Sequence, residues 1–338
     1  MAPQFRMPPE WEPHEATWIA WPHEKSDWPG KFAPIPWLYG EIVRHLARVE
    51  RVRILVDNAA TEQSARRILK KSHADLNAVE FFHHPTDRSW TRDYAPIFVK
   101  TKSGEVAITH WRFNGWAKYD NYHRDCLAPK FAAEKLGMHR LQPGLVLEGG
   151  AIDVNGEGLM LTTEECQLSE VQARNPGVSK KQLERAFREY LGIDEVIWLN
   201  RGIVGDDTHG HIDDLARFTS PDTVVIAAEP DRSDPNHEPL KENLARLRAR
   251  ADLRVVTIPM PQPVYFAGQR LPASYANFYI ANGIVLVPAF VDPHDLEVLK
   301  TLARLFPGRQ VIPVPCRDLV LGLGTLHCMT QQQPVGQA

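Results

Sequence analysis

One pattern recurs along the chain and limits what it can fold into: an amphipathic helix, a short β-rich run, an irregular polar stretch, then two apolar runs about a tight turn. Helical periodicity marks 36–50, 61–74, 126–137, 179–192, 239–251 and 293–308, several with Pro near the start or Gly at the end. The β-rich runs "RVRILVDN", "AVEFF", "EVIWL", "LRVVTI" and "RQVIPV" follow most of them. Turns at "KSGE", "VNGEG", "SPDT" and "ANGI" recur at roughly 50 to 65 residues, each between apolar runs. The pattern predicts an α/β fold of about five units closing into a ring. "EATWIAWP", near the start, is expected to supply the strand that completes the last unit, after Cys328.

A length of 338 residues would permit two domains, but no Gly/Ser-rich or Pro-rich linker divides the chain, so one domain over 1–338 is expected. With 43% hydrophobic residues the chain can build a sizeable core. A net charge of −3 gives no footprint for nucleic acid or an anionic membrane surface. No apolar run is long enough to span a bilayer, and "MAPQFRMPPEWEPHEATWIAWP" has prolines and acids where a secretory leader would be apolar. The cysteines Cys126, Cys166, Cys316 and Cys328 are scattered and contain no CxxC pair, which disfavours a zinc cluster or a disulfide framework. A reduced, cytoplasmic setting is the expectation.

In equivalent units the polar stretches before each hairpin should converge near the axis. They read "DRSWTRDYAP", "LEGGAIDVNG", "GDDTHGHIDD", "PASYANFYIANG" and "GLGTLHCMT". Between them they offer Asp93, Glu148, His211, Asp213, Asn277 and Cys328, a set from which catalysis can be assembled.

On an extended strand "HGHIDD" would point His209, His211 and Asp213 to one face and Asp214 to the other. Two chemistries compete there. Paired His with Asp can ligate a divalent metal that activates water; alternatively one His is a general acid/base beside a substrate-holding Asp. A metal site needs further ligands, and no other His pair has ligand spacing, so acid/base work is favoured. Free Cys is ordinarily a small buried hydrophobe. On a strand His327 would face away from Cys328, leaving His211, from another unit, as the better partner and His327 as a packing or hydrogen-bonded residue.

Asp87, Trp90 and Asp93 recur at i, i+3 spacing, which one helical turn or tight loop would align. Gly149 and Gly150 after Glu148 permit close backbone approach. Carboxylates around a thiol would repel an anionic substrate and raise the thiol pKa, so a cation is expected. A planar guanidinium matches two carboxylates bidentately. Attack by Cys on its central carbon would expel ammonia, and water would then release a ureido product.

"MPPEWEPHEATWIAWP", "DRSWTRDYAP", "FNGW", "LEGGAIDVNGEGLMLTTEEC", "GDDTHGHIDD", "ASYANFYIANG" and "LHCMTQQQP", from about Met7 to Pro334, together resemble the agmatine deiminase / bacterial-type peptidylarginine deiminase family of the guanidino-group-modifying, or pentein, superfamily. The resemblance implies a five-bladed α/β propeller of ββαβ-type units around a central site. It implies Cys328 as nucleophile, His211 as general acid/base, Asp93 and Asp213 gripping the guanidinium, and Glu148 bracing His211 and the substrate. Trp90 would form an aromatic wall, Asp207 an acidic substrate contact, and Asn277 a site-shaping residue. No metal or organic cofactor is implied, and a homo-oligomer is.

Where the family usually reads GGG-Asn-Ile-His-Cys, this chain has Leu323 and Thr325 before the nucleophile, which alters the loop. Agmatine, yielding N-carbamoylputrescine and ammonia, is the expected substrate. Peptidyl-arginine is the alternative, disfavoured by the missing leader. Free arginine would need a cation such as Arg92, Arg112 or Arg270 for its carboxylate. More distant alternatives are a metal-dependent hydrolase using "HGHIDD" and a catalytically silent guanidine-binding protein.

Overall fold

The computed structural model describes residues 4–337; residues 1–3 and 338 lie outside the described residues. All six expected helices form, at Ile35–Leu46, Ala59–Lys71, Ala128–Leu136, Lys180–Leu191, His237–Arg248 and Asp295–Leu305. Local chemistry sets their ends. In the helix Lys180–Leu191, Gln182 Oε1 reaches back to accept from Ser179 N at 2.8 Å. The helix stops at Gly192, whose φ of +73° and contact with Phe5 O both exclude a side chain. Leu183, Ala186, Phe187 and Leu191 form its buried stripe, each large apolar side chain contributing roughly 1.5–3 kcal/mol by leaving water.

Five sheets repeat one plan, an antiparallel hairpin followed through a helix by a parallel strand. Ile97–Thr101 pairs antiparallel with Val106–Thr109, which runs parallel to Arg140–Leu141. The same plan holds for Asp153–Val154, Leu159–Thr163 and Glu195–Leu199, then for Ala216–Ser220, Thr223–Ala228 and Arg254–Pro259. Tyr279–Ala281, Ile284–Ala289 and Gln310–Pro315 form the fourth. In the fifth, Gln331–Pro334 pairs antiparallel with His14–Ala20, which runs parallel to Arg51–Val56 and on to Val79–His83. The early strand thus completes the last unit, as expected, with Gln331 opposite Trp18. Each sheet is open and mixed; no sheet closes on itself among the described residues.

Several elements escaped the periodicity because they are too short to show one, the strands Phe5–Arg6 and Arg140–Leu141 among them. So did the helices Thr91–Tyr94 and Glu164–Leu168, and the hairpin Tyr265–Phe266/Gln269–Arg270. No helix among the described residues is long and apolar enough to cross a membrane.

Candidate active site

Each of the five polar stretches leads into or takes in the first strand of a hairpin, so the plan of the sheets puts them in equivalent places. They meet around Cys328. Asn277 Nδ2 donates to Cys328 Sγ at 3.1 Å, and the Sγ thiol lies 3.6 Å from Asp213 Oδ2. Asn277 also anchors the loop, its Oδ1 accepting from Thr325 Oγ1 at 2.7 Å and His327 N at 3.0 Å. Its Nδ2 donates to Asp214 Oδ1 at 3.0 Å as well.

His211 is held by its backbone, its N donating to Asp206 Oδ2 at 3.0 Å. Its Nδ1 lies 3.8 Å from Asp93 Oδ1 and 4.0 Å from Asp213 Oδ1, while Nε2 lies 3.9 Å from Glu148 Oε2. Asp93 is fixed by Gly150 N at 3.0 Å and Trp116 Nε1 at 2.9 Å. Gly150 is needed there for space: a Cβ would stand 2.6 Å from His211 Nδ1 and 2.8 Å from Asp93 Oδ1. Glu148 receives Arg174 Nε at 2.9 Å.

Burial and charge set the protonation states. Burial pushes the Cys328 thiol well above its usual pKa, and Asp213, Asp214 and Asp93 push it further. Burial lifts Asp93 to about 6. Burial works against ionisation of Glu148 too, but Arg174 and His211 together outweigh it and hold the carboxyl at about 2. For His211 burial favours the neutral ring, yet Asp93 and its other neighbours raise it well above the usual imidazole range. The cage therefore presents a neutral thiol, an imidazolium and a surplus of carboxylates.

The nucleophile opens on a cavity of about 710 Å³ lined by Trp90, Asp93, Trp116, Asp207, Leu323 and Cys328. Trp90 packs on Trp28 with ring centroids 5.3 Å apart. Gly322 and Gly324 lie so close to these rings that a Cβ would stand 2.6 Å and 2.9 Å from Trp90. Asp207 at the mouth accepts from Lys118 Nζ at 3.1 Å and from Tyr119 Oη. A groove of similar size, about 720 Å³, along Phe5, Lys100, Gly156 and Asp194 is lined by no Cys or His.

The family model of Porphyromonas-type peptidyl-arginine deiminase matches residues 6–334. The chain belongs to this family. An agmatine deiminase of Pseudomonas putida is 35% identical over 98% of this chain and 95% of its own length. That of Ectopseudomonas mendocina is 34% identical, covering 98% and 96%. A solved C. jejuni agmatine deiminase, a cysteine-to-serine variant with substrate bound, is 32% identical, with a TM-score of 0.91 over 99% of this chain and 97% of that one. The Enterococcus faecalis agmatine deiminase is 29% identical, with a TM-score of 0.91 over 98% and 96%. An amidinotransferase from Microseira wollei, 11% identical with a TM-score of 0.52 over 99% of both chains, shares the fold.

Against this family background, the structure gathers Asp93, Glu148, His211, Asp213, Asn277 and Cys328 in one place, with Trp90 and Asp207 on the cavity wall. Several local expectations need correction. "HGHIDD" is not a strand: His209 has φ +67° and turns to Ser169 Oγ at 3.0 Å, and residues Ile212–Asp214 form a single 3-10 turn. His209 therefore turns away from His211, which stays beside Asp213, and the paired-histidine metal reading of the motif falls. Asp214, expected to point away, is buried at Asn277. Cys328 also lies on a turn, so strand alternation does not place His327. His327 is a hydrogen-bonded residue as expected, but not remote: its ring bridges Asp213 Oδ2 at 2.7 Å and Glu10 Oε2 at 2.8 Å. Asp87 leaves the i, i+3 row, because the helix starts only at Thr91, and instead accepts from Arg124 N at 2.8 Å.

Glu10, Trp116 and Arg174 were missed. Glu10, buried, accepts from His327, from Arg92 Nη2 at 3.2 Å and from Ile280 N at 2.7 Å. Glu10 and Trp116 lie inside "MPPEWEPHE" and "FNGW", so the signal was present without a role attached. Of the arginines considered for a substrate carboxylate, Arg92 is occupied by Glu10 and Gln332 and Arg270 by Asp234, while Arg112 is exposed and does not line the cavity.

Proposed function

We propose that this chain hydrolyses agmatine to N-carbamoylputrescine and ammonia, with Cys328 as nucleophile. The observation that carries this reading is the cage itself: a buried thiol faced by Asp93, Asp213 and Asp214, which a guanidinium would neutralise. The family membership and its agmatine deiminase relatives support it. Asp93 and Asp213 grip the guanidinium nitrogens; as the cation enters, the carboxylates cease to oppose thiolate formation and the thiol proton leaves to solvent. Cys328 Sγ attacks the guanidinium carbon. His211, braced by Glu148, gives its proton to the departing nitrogen, and ammonia leaves a thiouronium. Neutral His211 then takes a proton from water as it attacks the same carbon, and collapse expels the thiolate. Trp90 walls the alkyl chain, and Asp207 receives the distal ammonium.

Five ββαβ sheets with their polar stretches meeting at Cys328 support a pseudo-fivefold propeller in one domain. With Arg92 and Arg270 occupied and Arg112 outside the cavity lining, free arginine is disfavoured. A cytoplasmic setting fits the reduced cysteines, and the family resemblance supports a homo-oligomer, which light scattering measures.

Ammonia release from agmatine, arginine and arginyl peptides tests the substrate, with wild type beside Cys328→Ser. Agmatine turnover that vanishes in a folded Cys328→Ser protein is expected. Citrulline from arginyl peptides with no ammonia from agmatine would instead make the chain a peptidyl-arginine deiminase.

A further inference from the structure

His211 presents two faces. Nδ1 looks toward Asp93 and Asp213, and Nε2 looks the other way, toward Glu148 Oε2 at 3.9 Å. His211 Nε2 and Glu148 Oε2 are both buried with no hydrogen-bond partner among the described residues. A thiol completes the group. One ligand atom each from Glu148, Cys166 and His211 lies within 4.8 Å of the others, and all three residues are at most 1% exposed.

The placement of Cys166 is built in. Thr163 caps the short helix Glu164–Leu168, its Oγ1 accepting from Cys166 N at 3.0 Å. The same hydroxyl donates to Gly210 O at 2.6 Å, tying this turn to the residue before His211. Thiolate, imidazole and carboxylate are the donors of zinc-type sites, with bonds of about 2.0 to 2.3 Å, and small side-chain rotations would bring all three to that range. Charge also favours a cation. Among the described residues Arg174 is the guanidinium paired with Glu148, against the carboxylates of Glu148, Asp93 and Asp213 around His211, whose own proton a metal would displace.

We propose that Glu148, Cys166 and His211 form a site for a thiophilic divalent cation, Zn²⁺ or Cd²⁺, whose occupancy inhibits the enzyme. On binding, bonds form from the metal to Cys166 Sγ, His211 Nε2 and Glu148 Oε2, and the displaced protons pass to solvent. A metal-held imidazole cannot deliver its proton, and a dication beside the clamp repels a guanidinium. The binding rests on the side-chain geometry; the inhibition rests on the role proposed above for His211.

The test is titration of Cd²⁺ into the full chain carrying Cys328→Ser, which removes the other thiol near His211. Binding is read by calorimetry and by the near-ultraviolet cadmium–thiolate band. About one equivalent with the band is expected. Adding Cys166→Ala should abolish the band, and adding Glu148→Gln or His211→Ala should weaken binding roughly tenfold. Thermal unfolding checks each variant. No band in folded Cys328→Ser protein overturns the site, as does a band that survives Cys166→Ala. Should Cys166→Ala fail to fold, affinity unchanged in both Glu148→Gln and His211→Ala overturns it equally. Separately, about one equivalent of Cd²⁺ should cut ammonia release by wild type roughly tenfold, reversibly with chelator. Wild type that releases no ammonia even without metal would defeat the functional reading, while the cadmium band still decides the site.

Discussion

Asn277 donates to the Sγ of Cys328 at 3.1 Å while its carbonyl oxygen receives the backbone N–H of His327 at 3.0 Å. One amide thus holds both the nucleophile and the turn that carries it. Thr325, one of the two departures from the family's usual loop, joins the same arrangement by donating to Asn277 Oδ1 at 2.7 Å. A hydrogen bond to a group that becomes charged contributes about 1.5–3 kcal/mol. Asn277→Ala should therefore lower kcat by roughly 10- to 100-fold with little change in KM. Thr325→Val should cost less, since it removes one bond to the hub and leaves the hub in place. Steady-state kinetics check both; an Asn277→Ala protein with wild-type kcat would remove Asn277 from the machinery.

The Asp93 carboxyl gives a pH prediction. Burial raises it to about 6 from an unperturbed 3.8, the His211 charge opposing and the Asp213 and Glu148 carboxylates adding to the rise. The folded chain thus binds more protons than the unfolded one between these values. The Asp93 contribution to stability is full below pH 3.8 and is lost as pH rises through about 6. A bound guanidinium reverses the preference, because it needs the carboxylate. In Cys328→Ser protein, the Tm increase produced by agmatine should grow as pH is raised from about 5 to about 7. An increase that shrinks over that range would mean that Asp93 is not the clamp.

What was legible in the sequence follows from range. Long periodic helices and their parallel strands declare themselves within one element, and each of the six expected helices forms. The residue types at the site were legible because five equivalent polar stretches each contribute to one place. Orientation was not. His209 and His211 were assigned a common face by strand alternation, but Gly210 at φ +92° and the hydrogen bonds of Asp206 coil that segment. Arg174 was invisible because its partner Glu148 lies 26 residues away, and nothing local distinguishes it from a solvated arginine. Trp116 belonged to a noted motif, yet only the fold shows its Nε1 bound to Asp93.

Leu323 sits at φ +67°, in the left-handed region that costs a non-glycine residue about 1–2 kcal/mol. The altered loop thus carries backbone strain next to the cavity. Deleting the side chain alone confounds strain with packing, since Leu323 touches the core. Comparing two deletions separates them. Leu323→Gly should be more stable than Leu323→Ala by about 1 kcal/mol, because only the alanine retains the backbone strain. Urea unfolding of the pair measures the difference, and equal midpoints would show that the loop relaxes out of this conformation.

Lys118 places its ammonium 3.1 Å from Asp207, where the distal ammonium of agmatine would bind. The lysine side chain is 41% exposed, so the pair is screened and contributes at most about 1 kcal/mol. Substrate must displace it. Lys118→Met keeps the stem but removes the competing charge, and it should lower KM for agmatine about two- to fivefold with kcat unchanged. The effect should fade for a guanidine with a neutral distal end, such as butylguanidine, which does not compete for Asp207. Kinetics with both substrates decide the matter: a raised KM for agmatine in Lys118→Met would make the lysine a positioning residue for Asp207 instead of its competitor.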